Sequence, residues 1–169
     1  MTKTVIIEKN TVIDMPIDRV WQVSAVEFAH IDRWDGNVKT SDPIASGPTG
    51  ENIGGRVCKM YNKRKTVERI VEFDEGRRTF AYEITEGLPG FVILARNTWT
   101  HQAIANNSTK LTMRLMMQVR GLLGTLMKAP MKSQMSKVLS KAQEELKHYA
   151  ETGQPHSRKR KKMKKLQRA

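Results

Sequence analysis

Between Val38 and Arg120 the apolar residues recur at every second position, and between Leu122 and Tyr149 they recur with a period near 3.6. That change of period constrains the fold more than any other feature, because strands show a two-residue period and helices a 3.6-residue one. The clearest stretch is the last of the period-two region. Leu111, Met113, Leu115, Met117 and Val119 alternate with Thr112, Arg114, Met116, Gln118 and Arg120. One side of this strand is apolar and the other mostly wet, as in an antiparallel sheet exposed on one face.

Strands are predicted near 38–43, 56–61, 65–74, 78–86, 91–101 and 109–120, with Asp74-Glu75-Gly76 and Ala105-Asn106-Asn107-Ser108 as turn signals. An opening strand from Thr4 to Asp14 carries Val5, Ile6, Ile7, Val12 and Ile13. Pro16 suits a first helical position, and Ile17, Val20, Trp21 and Ala25 follow at helical spacing. Phe28, Ile31 and Trp34 suggest a second short helix, ended by Asp35-Gly36-Asn37. After Gly121 a stripe runs through Leu122, Leu123, Leu126, Met127, Met131, Met135, Val138, Leu139, Ala142, Leu146 and Tyr149, with a kink or break expected at Pro130 and a stop at Gly153. A sheet with one apolar face must bury it, and only this final helix is long enough to cover it.

Composition narrows the class. A chain of 169 residues fits one domain with its own core. The single cysteine, Cys58, leaves no disulfide framework and reads as a buried structural thiol in a reducing, cytoplasmic setting. His30, His101, His148 and His156 fall in different elements without ligand spacing, so no metal and no cofactor are expected. No apolar run reaches the ~18 residues of a membrane-spanning helix, and the amino-terminal segment meets Glu8 too early for a secretory signal. The loop Ser46–Gly55 has four glycines but lacks a Gly-Lys-Ser/Thr ending, so it reads as a connection at the mouth of a cavity.

The net charge is +13, and eight of the 30 basic residues lie beyond Gln154 with no acid among them. Residues 1–153 therefore form a mildly basic domain of net charge +5, followed by a tail at 154–169 expected to be disordered. Arg158, Lys159, Arg160, Lys161, Lys162, Lys164 and Lys165 are candidates for contact with RNA, a ribosome or an anionic membrane surface, or form a solvated tail.

Four segments together resemble the helix-grip superfamily of START-related (SRPBCC) domains and polyketide cyclase/dehydrases: Ile13-Asp-Met-Pro-Ile-Asp-Arg-Val-Trp21, Phe28–Trp34, Tyr82-Glu-Ile84 and Asn97-Thr-Trp-Thr-His101. The resemblance covers roughly residues 3–150. It implies an α+β helix-grip fold: a curved antiparallel sheet of about seven strands wrapped on a long carboxy-terminal helix, with two short helices after the first strand. It also implies a small hydrophobic ligand, such as a lipid, polyketide or quinone, held between sheet and helix. A cyclase or dehydratase using the same space, and an RNA-associated protein acting through its tail, are the rival readings.

Strand alternation nominates the residues that would face such a ligand. Phe80, Tyr82 and Ile84 share one face, as do Phe91, Ile93, Ala95, Asn97, Trp99 and His101. Arg69 shares a face with Val67, Val71 and Phe73, unless a bulge turns it outward. Met113, Met117, Met127, Met131 and Met135 would give an adaptable apolar lining or fill an irregular core. Trp34 would border the entrance or pack on the sheet. The catalytic residues are unknown; His101 as general base and Tyr82 as oxyanion donor are the candidates should the two converge.

Overall fold

The computed structural model describes residues 2–45 and 54–168. Strand β7 (Ser108–Arg120) buries every odd residue from Thr109 to Val119 and none of the even ones. It pairs antiparallel with β1 (Thr2–Ile13) on one side and β6 (Val92–Ala105) on the other. Beyond β6 lie β5 (Thr79–Glu86), β4 (Lys65–Asp74), β3 (Gly55–Met60) and β2 (Val38–Ile44), completing a seven-stranded sheet in the order β1-β7-β6-β5-β4-β3-β2. Sequence neighbours pair throughout, except that β1 returns to flank the last strand. The curved antiparallel sheet and long carboxy-terminal helix form the expected helix grip.

Bulges decide which side chains face inward. One lies between Val92 and Leu94, so Val92 is buried and Ile93, expected inside, is exposed. Two interrupt β4, between Val67 and Glu68 and between Ile70 and Glu72. They bury Glu68 and Ile70 while Arg69 and Val71 turn to solvent. Arg69 is thus no part of an inner lining, since a bulge shifts alternation by one residue. Gly55 sits at φ +145, where an added Cβ would lie 2.1 Å from the Glu68 carbonyl oxygen. This close approach of β3 to β4 admits only glycine. The rest of the glycine-rich connection, residues 46–53, lies outside the described residues.

Between β1 and β2 the chain forms α1 (Ile17–Trp21), a π-helical turn (Gln22–Val26) and a 3-10 helix (Phe28–Arg33). The π turn closes with the Glu27 N–H donating to the Gln22 carbonyl at 2.8 Å. After β7 come α2 (Gly121–Leu126) and α3 (Lys128–Thr152). The break falls at Met127, before Pro130, because a proline in the first turn of a helix lacks only a donor that has no acceptor there anyway. Gly153 caps α3 in the left-handed region at φ +69.

The stripe on α3 is seated unevenly. From the middle of the helix onward Leu139, Gln143, Leu146 and Ala150 are buried, whereas Met131 and Met135 nearer its amino end are only partly buried against the core. Leu122, Leu123 and Leu126 of α2 are exposed rather than facing the sheet, and Met127 in the turn between the helices is exposed with them. The turn at Met127 breaks the helical phase, so α2 does not share the buried face of α3.

Residues 157–167, expected to be disordered, form a further helix, α4 (Ser157–Gln167). Composition alone argues against order in a like-charged segment, but two side chains tie it to the body. Arg158 bonds Glu145, and the Lys159 ammonium donates to the Val38 carbonyl. Among the described residues, no helix is long and apolar enough to cross a membrane.

Candidate functional site

The inner face of β5, β6 and β7 brings together most of the expected lining. Phe80, Tyr82, Asn97, Trp99, Met113 and Met117 are all buried on it. Antiparallel register sets Tyr82 opposite Asn97, Phe80 opposite Trp99, and Met113 on the far side of Trp99. Trp34, at the end of the 3-10 helix, is buried in the same core. Aromatic rings dominate the interior: Phe80 lies 5.3 Å from Trp99 and 5.7 Å from Phe28, centroid to centroid.

Around Tyr82, polar groups interrupt this apolar wall. The Asn97 amide nitrogen donates to the Tyr82 hydroxyl at 3.0 Å. The other amide atom, Asn97 Oδ1, is buried with no hydrogen-bond partner, as is the indole N–H of Trp99. Burial pushes the Tyr82 hydroxyl well above its ordinary pKa, so it keeps its proton. Having accepted from Asn97, it can still donate. The inner face therefore offers one unused acceptor and two donors within a span of a few residues, the pattern by which an apolar pocket orients a guest.

Arg56 and Glu68 form a buried ion pair that sequence reading missed. The Arg56 guanidinium bonds Glu68 Oε2 through Nε at 2.7 Å and the Phe28 carbonyl oxygen at 2.7 Å. It also stacks 3.7 Å above the Phe28 ring and 5.4 Å from that of Tyr82. The available signal was Arg56 two residues before Cys58 and Glu68 two before Ile70, charges in phase with buried apolar positions on adjacent strands. Cys58 is fully buried, and burial raises its thiol to a pKa of about 11. It is inert at neutral pH.

His101 and Tyr82 do not converge. His101 lies four residues along β6 from Asn97, the partner of Tyr82, which is about 13 Å at strand rise. Both ring nitrogens of His101 are engaged, Nδ1 by the Arg78 carbonyl at 2.9 Å and Nε2 by the Ser24 hydroxyl at 2.8 Å. A carbonyl only accepts, so Nδ1 carries the proton and Nε2 accepts from Ser24. Burial lowers the His101 pKa to about 4. Ser24 and His101 have the connectivity of a nucleophile and its base, but both are buried, the His101 ring packed against those of Trp21 and Phe80. The pair clamps the π turn to the sheet. Its signal, a lone serine on an apolar helical face, was too slight to find by sequence.

The basic tail residues divide into two groups. Arg158 is paired with Glu144 and Glu145, and Lys159 is buried, so neither is available to a partner as expected. Arg160, Lys161, Lys164 and Lys165 are exposed, and Lys162 lies over the Tyr61 ring at 5.3 Å. Among the described residues, no group of three His, Cys, Asp or Glu side chains is placed to hold a metal ion.

Comparison with known proteins agrees with this architecture. A family model described as polyketide cyclase / dehydrase and lipid transport matches residues 4–151. A point mutant of norcoclaurine synthase from Thalictrum flavum, solved with a transition-state analogue, superposes with a TM-score of 0.68 at 14% identity, covering 89% of this chain and 96% of that one. A START superfamily protein from Mycobacterium smegmatis gives 0.65 at 12% identity, covering 82% and 94%. An uncharacterized protein from Bacillus thuringiensis gives 0.70 at 15% identity, covering 86% and 98%. At such identities the likeness shows the fold alone. No curated protein matches the chain.

Proposed function

The chain belongs to the polyketide cyclase/dehydrase and lipid transport family, and from that premise we propose that it binds a small hydrophobic ligand between the inner face of the sheet and the first half of α3. The observation that carries this reading is the pair of buried, unpartnered atoms, Asn97 Oδ1 and Trp99 Nε1, on an otherwise apolar wall. Leaving a polar atom buried without a partner costs about 1–3 kcal/mol, so a guest bearing one donor and one acceptor recovers that cost on binding. The half-buried Met131 and Met135, packed against the core, would supply a covering that adapts to the shape of the guest.

The guest is an apolar molecule with one compact polar end, such as a lipid, a polyketide or a quinone. Burying about 300 Å² of apolar surface contributes roughly 7 kcal/mol before association costs, so the polar contacts at Asn97 and Trp99 must add to it for tight binding. Binding without turnover is the form this reading takes, because the candidate base His101 stands away from Tyr82 along β6 and has both ring nitrogens committed. Native mass spectrometry of freshly purified protein tests the reading. An adduct of small-molecule mass is expected, and Asn97→Leu should lose it or weaken it at least tenfold. A bare mass together with no saturable binding of a fatty acid, a naphthoquinone or anilinonaphthalene sulfonate overturns it.

A further inference from the structure

A second site lies away from the inner face, where α4 folds back beside the outer end of β2 and β3. A groove of about 490 Å³ opens there, lined by Lys39, Lys59, Met60, Tyr61, Lys63 and Leu166 among others. Lys39, Lys59 and Lys63 are exposed, and among the described residues none of them forms an ion pair. Leu166 places the end of α4 in the wall of this groove, and Lys162 lies over the Tyr61 ring. The Tyr61 ring, with the tail lysines Lys159 and Lys162 5.1 and 5.3 Å from its centre, thus shares one groove with three lysines of the body.

Two features show that this convergence is held in place against a cost. The α4 segment carries eight basic residues with its flanking Arg168 and no acid, so its own charges oppose helix formation and docking. It is nevertheless pinned by Arg158 on Glu145 and Lys159 on Val38. Lys63 adopts φ +67, a left-handed conformation that a lysine takes less readily than glycine or asparagine. The turn that imposes it, closed by Met60 and Arg64, sets Lys63 at the rim of the groove.

We propose that this groove binds single-stranded nucleic acid, with Lys39, Lys59 and Lys63 and the exposed lysines of α4 on successive phosphates and Tyr61 as a platform for a base. Basic grooves that track a phosphate backbone beside an aromatic side chain are the usual solution for binding one strand. A membrane surface is the poorer partner, because the exposed large apolar side chains of α4 are only Met163 and Leu166 and its charges surround the helix. Interfacial helices need a broad apolar face to bury.

Fluorescence anisotropy of the full chain with labelled oligo(U) and oligo(dT) 12-mers tests the proposal, with a matching RNA duplex and phosphatidylserine vesicles as competitors. Both single strands should bind, at least tenfold tighter than the duplex, and the vesicles should not displace them. Replacing Lys39, Lys59 and Lys63 together by alanine, with the fold checked by circular dichroism, should weaken binding at least tenfold. It should also reduce the slope of log affinity against log salt by about 2, at roughly 0.7 for each phosphate left without its lysine. Tyr61→Leu should weaken binding at least fivefold with that slope unchanged. Unaltered affinity in the triple variant would place all binding on α4 and overturn the groove. Duplex binding as tight as single-strand binding, or vesicle binding without oligonucleotide binding, overturns the choice of partner.

Discussion

Oε1 of Glu145, in the second half of α3, accepts a hydrogen bond from Nε of Arg158 at 2.7 Å. The other oxygen of the same carboxylate accepts from the Gly36 backbone N–H at 2.7 Å. One buried carboxylate therefore joins the basic helix, the long helix and the turn before β2. A Cβ at Gly36 would stand 2.6 Å from Oε1, so a larger residue there would displace this carboxylate.

Arg158→Ala removes one leg of that junction. Its side chain is one-third exposed, which discounts the pair for solvent screening, so the expected loss is about 1–2 kcal/mol. The loss should appear in urea unfolding. Hydrogen exchange at the amides of 157–167 should rise towards the unprotected rate while that of β7 is unchanged. Retained protection in α4 would show that Lys159 alone suffices to dock it.

The Arg56–Glu68 pair makes a sharper case, because both partners are buried. Arg56→Met leaves a carboxylate buried with no counter-charge and should cost about 3–5 kcal/mol. Replacing both residues by methionine should recover most of that loss, which denaturant melts of the two single variants and the double variant can measure. A double variant as unstable as the worse single would assign the loss to packing on Phe28 instead.

His101 sets a pH dependence whose sign is determined by its burial. Its folded pKa, about 4, lies below the ordinary value of 6.5, so between those values the unfolded chain binds more protons. Stability from this group is complete above pH 6.5 and declines as the pH falls towards 4, by about 1.4 kcal/mol per unit at most. His101→Gln, which keeps a donor and an acceptor, should flatten this part of the stability curve. Asp35, raised by burial, acts in the opposite direction, so the comparison is the difference between the two proteins.

Tyr82→Phe deletes the one partner of the Asn97 amide nitrogen. Asn97 would then be buried with neither amide group bonded, and a loss of about 1–3 kcal/mol is expected. Thermal unfolding reads it directly. A bound ligand that reaches Asn97 should return part of the lost stability, so the shift on ligand addition should be larger in the variant than in the parent.

Local sequence determined the elements because their signals are short-range. Alternation from Leu111 to Val119 assigned the inward residues of that stretch correctly, while the buried Thr109 was not foreseen, and Gly153 ended α3 where its left-handed φ is needed. Tyr82, Asn97 and Trp99 were legible on the inner face for the same reason. Only the tertiary structure decided what long-range interactions control: bulges that turned Arg69 out and Glu68 in, the four-residue offset that keeps His101 from Tyr82, and the ordering of a like-charged tail. Alternation is a property of neighbouring residues and can be read from them. A bulge, or a helix held by a carboxylate 13 residues earlier and a carbonyl 121 residues earlier, depends on partners that no local window contains.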